Sequence, residues 1–303
     1  MTQILTRAGC FAAIILLGYL LRRIGFFQKE DFHLLSKIVI KITLTAAIIT
    51  NFSGRELEYS LLLLILIGFL FGVLLMLVGY LLNRSRGNAA QAFGVLNIAG
   101  VNIGNFVLPF AQGFLGPAGV VAVSLFDVGN SLICLGGAFG VANMLQQGQK
   151  RFTLLPALRA LGKSVPLMAY LLMMVLGLLH LSLPAPLVEL AGIIGNANAF
   201  LAMLMLGVGF QLSGDRSQVS ELLRILLPRY CIGIALAALC YFLLPLPLEY
   251  RQGLVIPFLG PIASAASAFT AEMKGDYGLA SAVNSISILI SIALIIGALL
   301  IVL

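Results

Sequence analysis

Ten apolar runs, each about the length of a bilayer-spanning helix, dominate this chain and leave few folds open to it. A hydrocarbon core of about 30 Å needs about 20 mostly apolar residues per helix. Runs that meet this length cover residues 4–23, 33–53, 60–83, 88–113, 118–145, 162–181, 185–212, 222–244, 250–273 and 277–303. The 303 residues are 61% hydrophobic and 10% charged, against about a quarter charged in a soluble domain. The surplus apolar surface must face lipid, where backbone polar groups have to be satisfied within the segment, as a helix does. The sequence therefore predicts an all-α polytopic membrane protein with ten transmembrane helices. The first run follows Arg7 and continues to full length without a small-residue cleavage site, so it reads as a first span and not a removed signal. Cys10, Cys134, Cys231 and Cys240 lie in apolar runs without CxxC or metal spacing and read as free thiols.

The basic residues set an orientation. Arg22, Arg23, Lys29, Lys37, Lys41, Arg84, Arg86, Lys150, Arg151, Arg159, Lys163, Arg216, Arg224, Arg229 and Lys274 fall at odd-numbered connections, whereas the other side has only Arg7, Arg55 and Arg251. By the positive-inside rule the odd connections are cytoplasmic and both termini lie outside. The net charge of +7 is thus explained by topology and contact with lipid headgroups, without a nucleic-acid partner. The longest hydrophilic stretch, Gln146 to Lys163, has five runs on either side. An odd number per half means that the halves enter the membrane from opposite faces. The expected organisation is a five-helix repeat over 1–145, a cytoplasmic linker over 146–161, and a second, inverted five-helix repeat over 162–303.

The fourth run of each half carries residues that a plain membrane helix avoids. Leu96 to Pro109 reads LNIAGVNIGNFVLP, with Asn97, Asn102, Asn105, two glycines and a proline. Pro109 cannot donate to the carbonyl of Asn105, and Gly100 and Gly104 ease unwinding nearby. In the ninth run Pro257 and Pro261 free the carbonyls of Gly253 and Pro257. Irregular backbone at membrane depth is tolerated where protein buries it or where it lines a cavity, so these two runs are expected to be broken and to cross at a binding site. Half-helix N-termini there would present N–H groups to an anion, with Asn102 and Asn105 hydrogen-bonding its carboxylate.

Other polar residues fall into ranked groups. Asp127, in SLFDVGNSL, is the acidic residue nearest the middle of a run. A charge at that depth is expensive, so this carboxyl is the candidate for binding and releasing a proton during transport. Asn130, three residues on, is its candidate packing partner and joins the substrate-binding set. Ser264 and Asn284 are retained as site members, while Ser267, Thr270, Ser281, Ser285 and Ser287 read as small residues that let helices approach closely. Asn196 and Asn198 face either the cavity or a subunit contact. His33, His180, Glu189, Glu272 and Asp276 lie near run ends, at the interface. No HExxH, paired catalytic carboxylates, Walker loop or GxSxG is present, so no enzyme reading, cofactor or metal is expected.

Several segments carry a family resemblance. GYLLRRIGFFQKEDFHLLSKIVIKITL resembles the opening of the auxin efflux carrier family, within the bile acid, auxin and arsenite transporter superfamily, as a bacterial-type member. NIGNFVLPFAQGFLGPAG is similar to that family's Asn-x-Gly-x-x-Gly-x-Pro segment, and LAMLMLGVGFQL to the end of its seventh span. The resemblance implies ten helices in inverted halves with spans 4 and 9 broken and crossing, a homodimer, and transport of organic anions such as auxin-like monocarboxylates, malate or malonate. Asn105 and Pro109 fall where the family's crossover Asn and Pro lie, with Pro257 or Pro261 as their counterpart. The chain departs from the family at Thr45-Ala46 and Ala199-Phe200, where a proline is usual, and Leu61 to Leu82 has no acidic or basic side chain.

The expected function is a secondary transporter, an efflux carrier or exchanger of small organic anions, in a plasma membrane of the bacterial inner-membrane type, working by alternating access at the crossover. Two alternatives remain at this stage. A sodium-coupled carrier of the bile-acid type would call for an acidic residue near the ninth-run break, and Pro257 to Phe269 has none. A receptor or channel-like protein would use the same fold without coupled transport.

Overall fold

Hydropathy alone makes long helices of most of these runs, and prolines and glycines interrupt the rest. The structure is a computed structural model that describes residues 2–28, 30–54, 58–147, 161–210 and 219–303. Seven helices among the described residues are long and apolar enough to cross a membrane: α1 (Thr2–Arg23), α2 (Asp31–Phe52), α3 (Tyr59–Asn83), α6 (Pro117–Gln147), α8 (Ala185–Gly209), α9 (Val219–Leu243) and α12 (Tyr277–Val302).

The expectation of ten is corrected by the other three runs. Residues 88–113 divide into α4 (Asn88–Ala99) and α5 (Leu108–Phe114), and residues 250–273 into α10 (Leu248–Phe258) and α11 (Ala265–Glu272). The run at 162–181 yields only the 14-residue α7 (Val165–Leu178), about 21 Å long at 1.5 Å per residue and short of the hydrocarbon thickness. The inverted five-plus-five repeat is not evident in the arrangement of helices either. A hydropathy window averages over a run and does not register where its backbone hydrogen bonds stop, which is why the count came out too high. Of the linker expected at 146–161, residues 148–160 lie outside the described residues, as do Lys29, Arg55 and Arg216.

Packing follows from the apolar faces. Helix α3 lies against α4 and α6, α1 against α8, and α10 against α6 and α9. Phe71, Phe126 and Phe258, from α3, α6 and α10, meet edge to face or tilted with centroids 5.0 to 6.1 Å apart, a geometry favoured by the ring quadrupoles. Leu16 and Leu20 on α1 and Leu66, Leu70 and Leu77 on α3 stay exposed, which suits a face turned to lipid. Thr2, Arg7, Phe114 and Leu303 surround one pocket, so the first and last described residues share an end of the bundle. Near the other end Arg86 pairs with Glu221 at 2.6 Å, tying the α3–α4 turn to the start of α9. Cys10, Cys134, Cys231 and Cys240 are free.

Candidate functional site: a two-strand crossing between broken helices

Helix α4 ends at Ala99, and Gly100 is extended (φ −77°, ψ 151°). The chain is non-helical through Val101, turns tightly at Asn102 (φ −79°, ψ 76°) with Ile103 N–H donating to Val101 O at 3.0 Å, then resumes as a π-turn over Ile103–Val107 that leads into α5. The break therefore lies three to five residues before Asn105, the carbonyl that Pro109 was expected to orphan. Pro109 instead occupies the first turn of α5, where a missing N–H costs little. In the other interrupted run α10 ends at Phe258 with Pro257 inside its last turn, and Gly260, Pro261 and Ile262 are non-helical before α11.

The two gaps pair with each other. Val101 and Ile262 form an antiparallel bridge, with Asn102 N–H donating to Pro261 O at 2.9 Å and Ala263 N–H to Gly100 O at 3.1 Å. Close approach here depends on missing side chains. A Cβ on Gly260 would lie 2.6 Å from side-chain carbons of Val101 and Val107, and one on Gly100 would lie 2.7 Å from the Cys134 sulfur.

That pairing leaves the outer N–H and C=O of Val101 and of Ile262 without a strand partner, and buried orphans of this kind are costly. Side chains supply the missing bonds. Asn130 on α6 accepts from Val101 N–H at 3.0 Å and donates to Val101 O at 2.9 Å. On the opposite edge Ser287 accepts from Ile262 N–H at 3.1 Å and Asn284 donates to Ile262 O at 3.2 Å. Asn130 also donates to Asp127 Oδ1 at 3.0 Å, and the Tyr170 hydroxyl donates to Asp127 Oδ2 at 3.3 Å. The carboxyl of Asp127 is thus one hydrogen bond removed from the crossing.

A third group seals the crossing. Arg229, on α9 and with no exposed surface, donates from Nη1 to Ile98 O and from Nη2 to Gly260 O (3.0 Å) and Pro261 O (3.3 Å). Arg229, placed from sequence among the odd-numbered connections, lies instead within α9, buried at the crossing. Its position within the apolar sequence LLRILLPRYCIG was the available signal. Tyr170 carried no such signal.

Two helix starts also converge here. Asn102 precedes the π-turn and Ser264 precedes α11, and Asn102 Nδ2 donates to Ser264 Oγ at 3.0 Å. The first-turn N–H groups after each have no carbonyl within their own helix to reach. Asn105 is buried, and among the described residues its Oδ1 has no hydrogen-bond partner. Asn97 is directed elsewhere, donating to Thr270 at 3.0 Å.

A cavity of about 230 Å³ leads from Ser264 and Asn284 past Ser267, Ser281 and Ser285 to His33, Phe210 and Tyr277. Ser267, Ser281 and Ser285, read from sequence as packing residues, therefore line open space, whereas Ser287 is buried. Asn198 is buried between Thr43 (2.9 Å) and Gln112 (2.9 Å), while Asn196 borders a separate polar pocket with Thr50, Asn51 and Gln112. Of the residues singled out from sequence, Asn102, Asn130, Pro261, Ser264 and Asn284 meet at the crossing. Asp127 adjoins it through Asn130, Pro257 sits in the helix turn before it, and Asn105 and Pro109 follow it in the chain.

No protein-family model matches the chain. A stretch of 124 residues is 29% identical to a protein of Methanothermobacter thermautotrophicus described as an "Uncharacterized transporter". The match takes in 40% of this chain and 41% of that protein, so the chain spans less than half the length of this relative.

Proposed function

We propose that the protein is a secondary transporter of small organic anions, with cargo held beside the Asn102–Ser264 contact. The observation that carries the reading is the convergence of two helix starts at one buried crossing, next to an amide-and-hydroxyl-lined cavity. The positive ends of helix N-termini favour a carboxylate. The partial similarity to a protein described as a transporter supports transport in general. The resemblance to auxin efflux carriers supports the narrower cargo class of auxin-like monocarboxylates, malate or malonate, and a homodimer. In this reading the end bearing Arg86, Lys274 and Arg224 is cytoplasmic, the cavity at His33 opens to that side, and Asp127 carries a coupled proton.

The test is counterflow in proteoliposomes loaded with unlabelled malate, malonate or benzoate and supplied with the labelled acid outside. Saturable exchange that falls in Asn105→Ala and Asn102→Ala supports the reading. Flux that follows the gradient with no exchange component would instead make the protein channel-like and remove the carrier reading.

A further inference from the structure

Arg229 is a buried cation bonded to three backbone carbonyls and in contact with the neighbouring Tyr230 side chain. Among the described residues the Arg86–Glu221 pair is the ion pair formed, and no carboxylate meets the Arg229 guanidinium. Its Nε is buried without a partner. A neutral amide on the same helix would cap one or two carbonyls without the desolvation penalty of a buried charge, so it is the charge that calls for an explanation.

The helix ends supply one. Each interrupted run exposes a C-terminal end, equivalent to about half a negative charge, close to an N-terminal end of opposite sign. Left alone, the two kinds of end would largely cancel and the crossing would favour neither sign of cargo. Arg229 reaches both C-terminal ends at once: Ile98 O belongs to the last turn of α4, and Gly260 O and Pro261 O follow the end of α10. One full positive charge offsets two half-charges, which leaves the helix starts at Ile103 and Ala265 unopposed on the Asn102–Ser264 side. Asp127, held by Asn130 and Tyr170, is the acidic group adjoining the same crossing.

We infer that Arg229 is the residue that makes the crossing selective for anions, acting as a positioning residue through the field of the helix ends without touching cargo. The inference rests on the organic-anion reading above and adds the group that sets its sign.

The experiment compares binding of matched pairs, benzoate with benzamide and malonate with malonamide, to purified protein at constant ionic strength, read by thermal shift over a concentration series. Wild-type protein is expected to prefer the carboxylate of at least one pair. Arg229→Gln should lose about tenfold or more of that preference, as expected for removal of a poorly screened unit charge, while amide binding stays within about twofold. Arg229→Lys should keep most of the preference despite lower stability. Glu221→Gln breaks the ion pair with Arg86 at the start of the same helix, away from the crossing, and should lower stability slightly with the preference intact. A merely structural Arg229 would weaken acid and amide alike, and Arg229→Gln protein with the wild-type preference overturns the inference while leaving the anion reading standing. If wild-type protein favours no carboxylate over its amide, the anion reading itself falls, and this inference with it. Should Arg229→Gln fail to fold, the neutral Arg229→Met decides: a lost preference with amide binding kept supports the inference, and the wild-type preference overturns it.

Discussion

Replacing Asn130 by alanine isolates the energetics of the crossing. The side chain makes four bonds, two to the N–H and C=O of Val101, one to Asp127 and one accepted from the Cys134 thiol, at 2.9 to 3.3 Å. Val101 is 2% exposed, so its N–H has no solvent to fall back on, whereas its carbonyl still accepts from Ile103 N–H at 3.0 Å. A buried orphan costs about 1–3 kcal/mol and an ordinary lost bond about 1 kcal/mol, so the loss predicted for Asn130→Ala is about 2–4 kcal/mol, the lower end applying if water enters the gap. Asn284→Ala supplies the comparison. It removes one bond of 3.2 Å to Ile262 O, whereas Ser287 still holds Ile262 N–H, so about 1–2 kcal/mol is expected. Unfolding in mixed micelles with rising SDS fraction, followed by helical circular dichroism, measures both. The reasoning is refuted if Asn130→Ala lies within about 1 kcal/mol of wild type, or costs no more than Asn284→Ala.

Three further outcomes follow from the geometry. Gly260→Ala puts a methyl group into the side chains of Val101 and Val107 and should cost about 1–3 kcal/mol by overpacking; an unfolding midpoint equal to wild type would contradict it. Asp127→Asn should abolish dependence of exchange on an imposed proton gradient while leaving exchange itself measurable, and a variant that keeps full dependence removes Asp127 from coupling. Glu221→Gln breaks a half-exposed pair with Arg86 and should cost less than about 1 kcal/mol, so a larger loss in the same unfolding assay would mean that the α3–α4 turn relies on more than a surface ion pair.

The sequence made the membrane class legible because apolar runs of this length have no other solvent-compatible use. It also marked the places where helices stop, since glycine and proline act locally on backbone bonds. How far each gap extends was not legible: the π-turn at Ile103–Val107 absorbs Pro109 and moves the break toward Gly100, and this depends on contacts with the other broken run. Asn102 and Ser264 were each noticeable as polar residues in apolar surroundings, but their pairing across 162 positions is tertiary information. Arg229 was misassigned for a related reason. A charge count assigns arginines near a run boundary to the loop, whereas this one is held inside by carbonyls freed elsewhere in the chain. The serines of α11 and α12 show the converse limit, because packing and cavity lining make the same demand for small polar side chains.

The pairing of Val101 with Ile262 also restricts how the crossing can move. Sliding the second strand so that Pro261 took the place of Ile262 would face Ser287 with a residue that has no N–H to donate, and would turn every side chain of that strand to the other face. The crossing therefore holds its register in that direction. Any rearrangement that moved the two gaps apart would have to break the bonds of Asn130 on one edge and of Ser287 and Asn284 on the other, so the crossing acts as a rivet between the halves of each interrupted run.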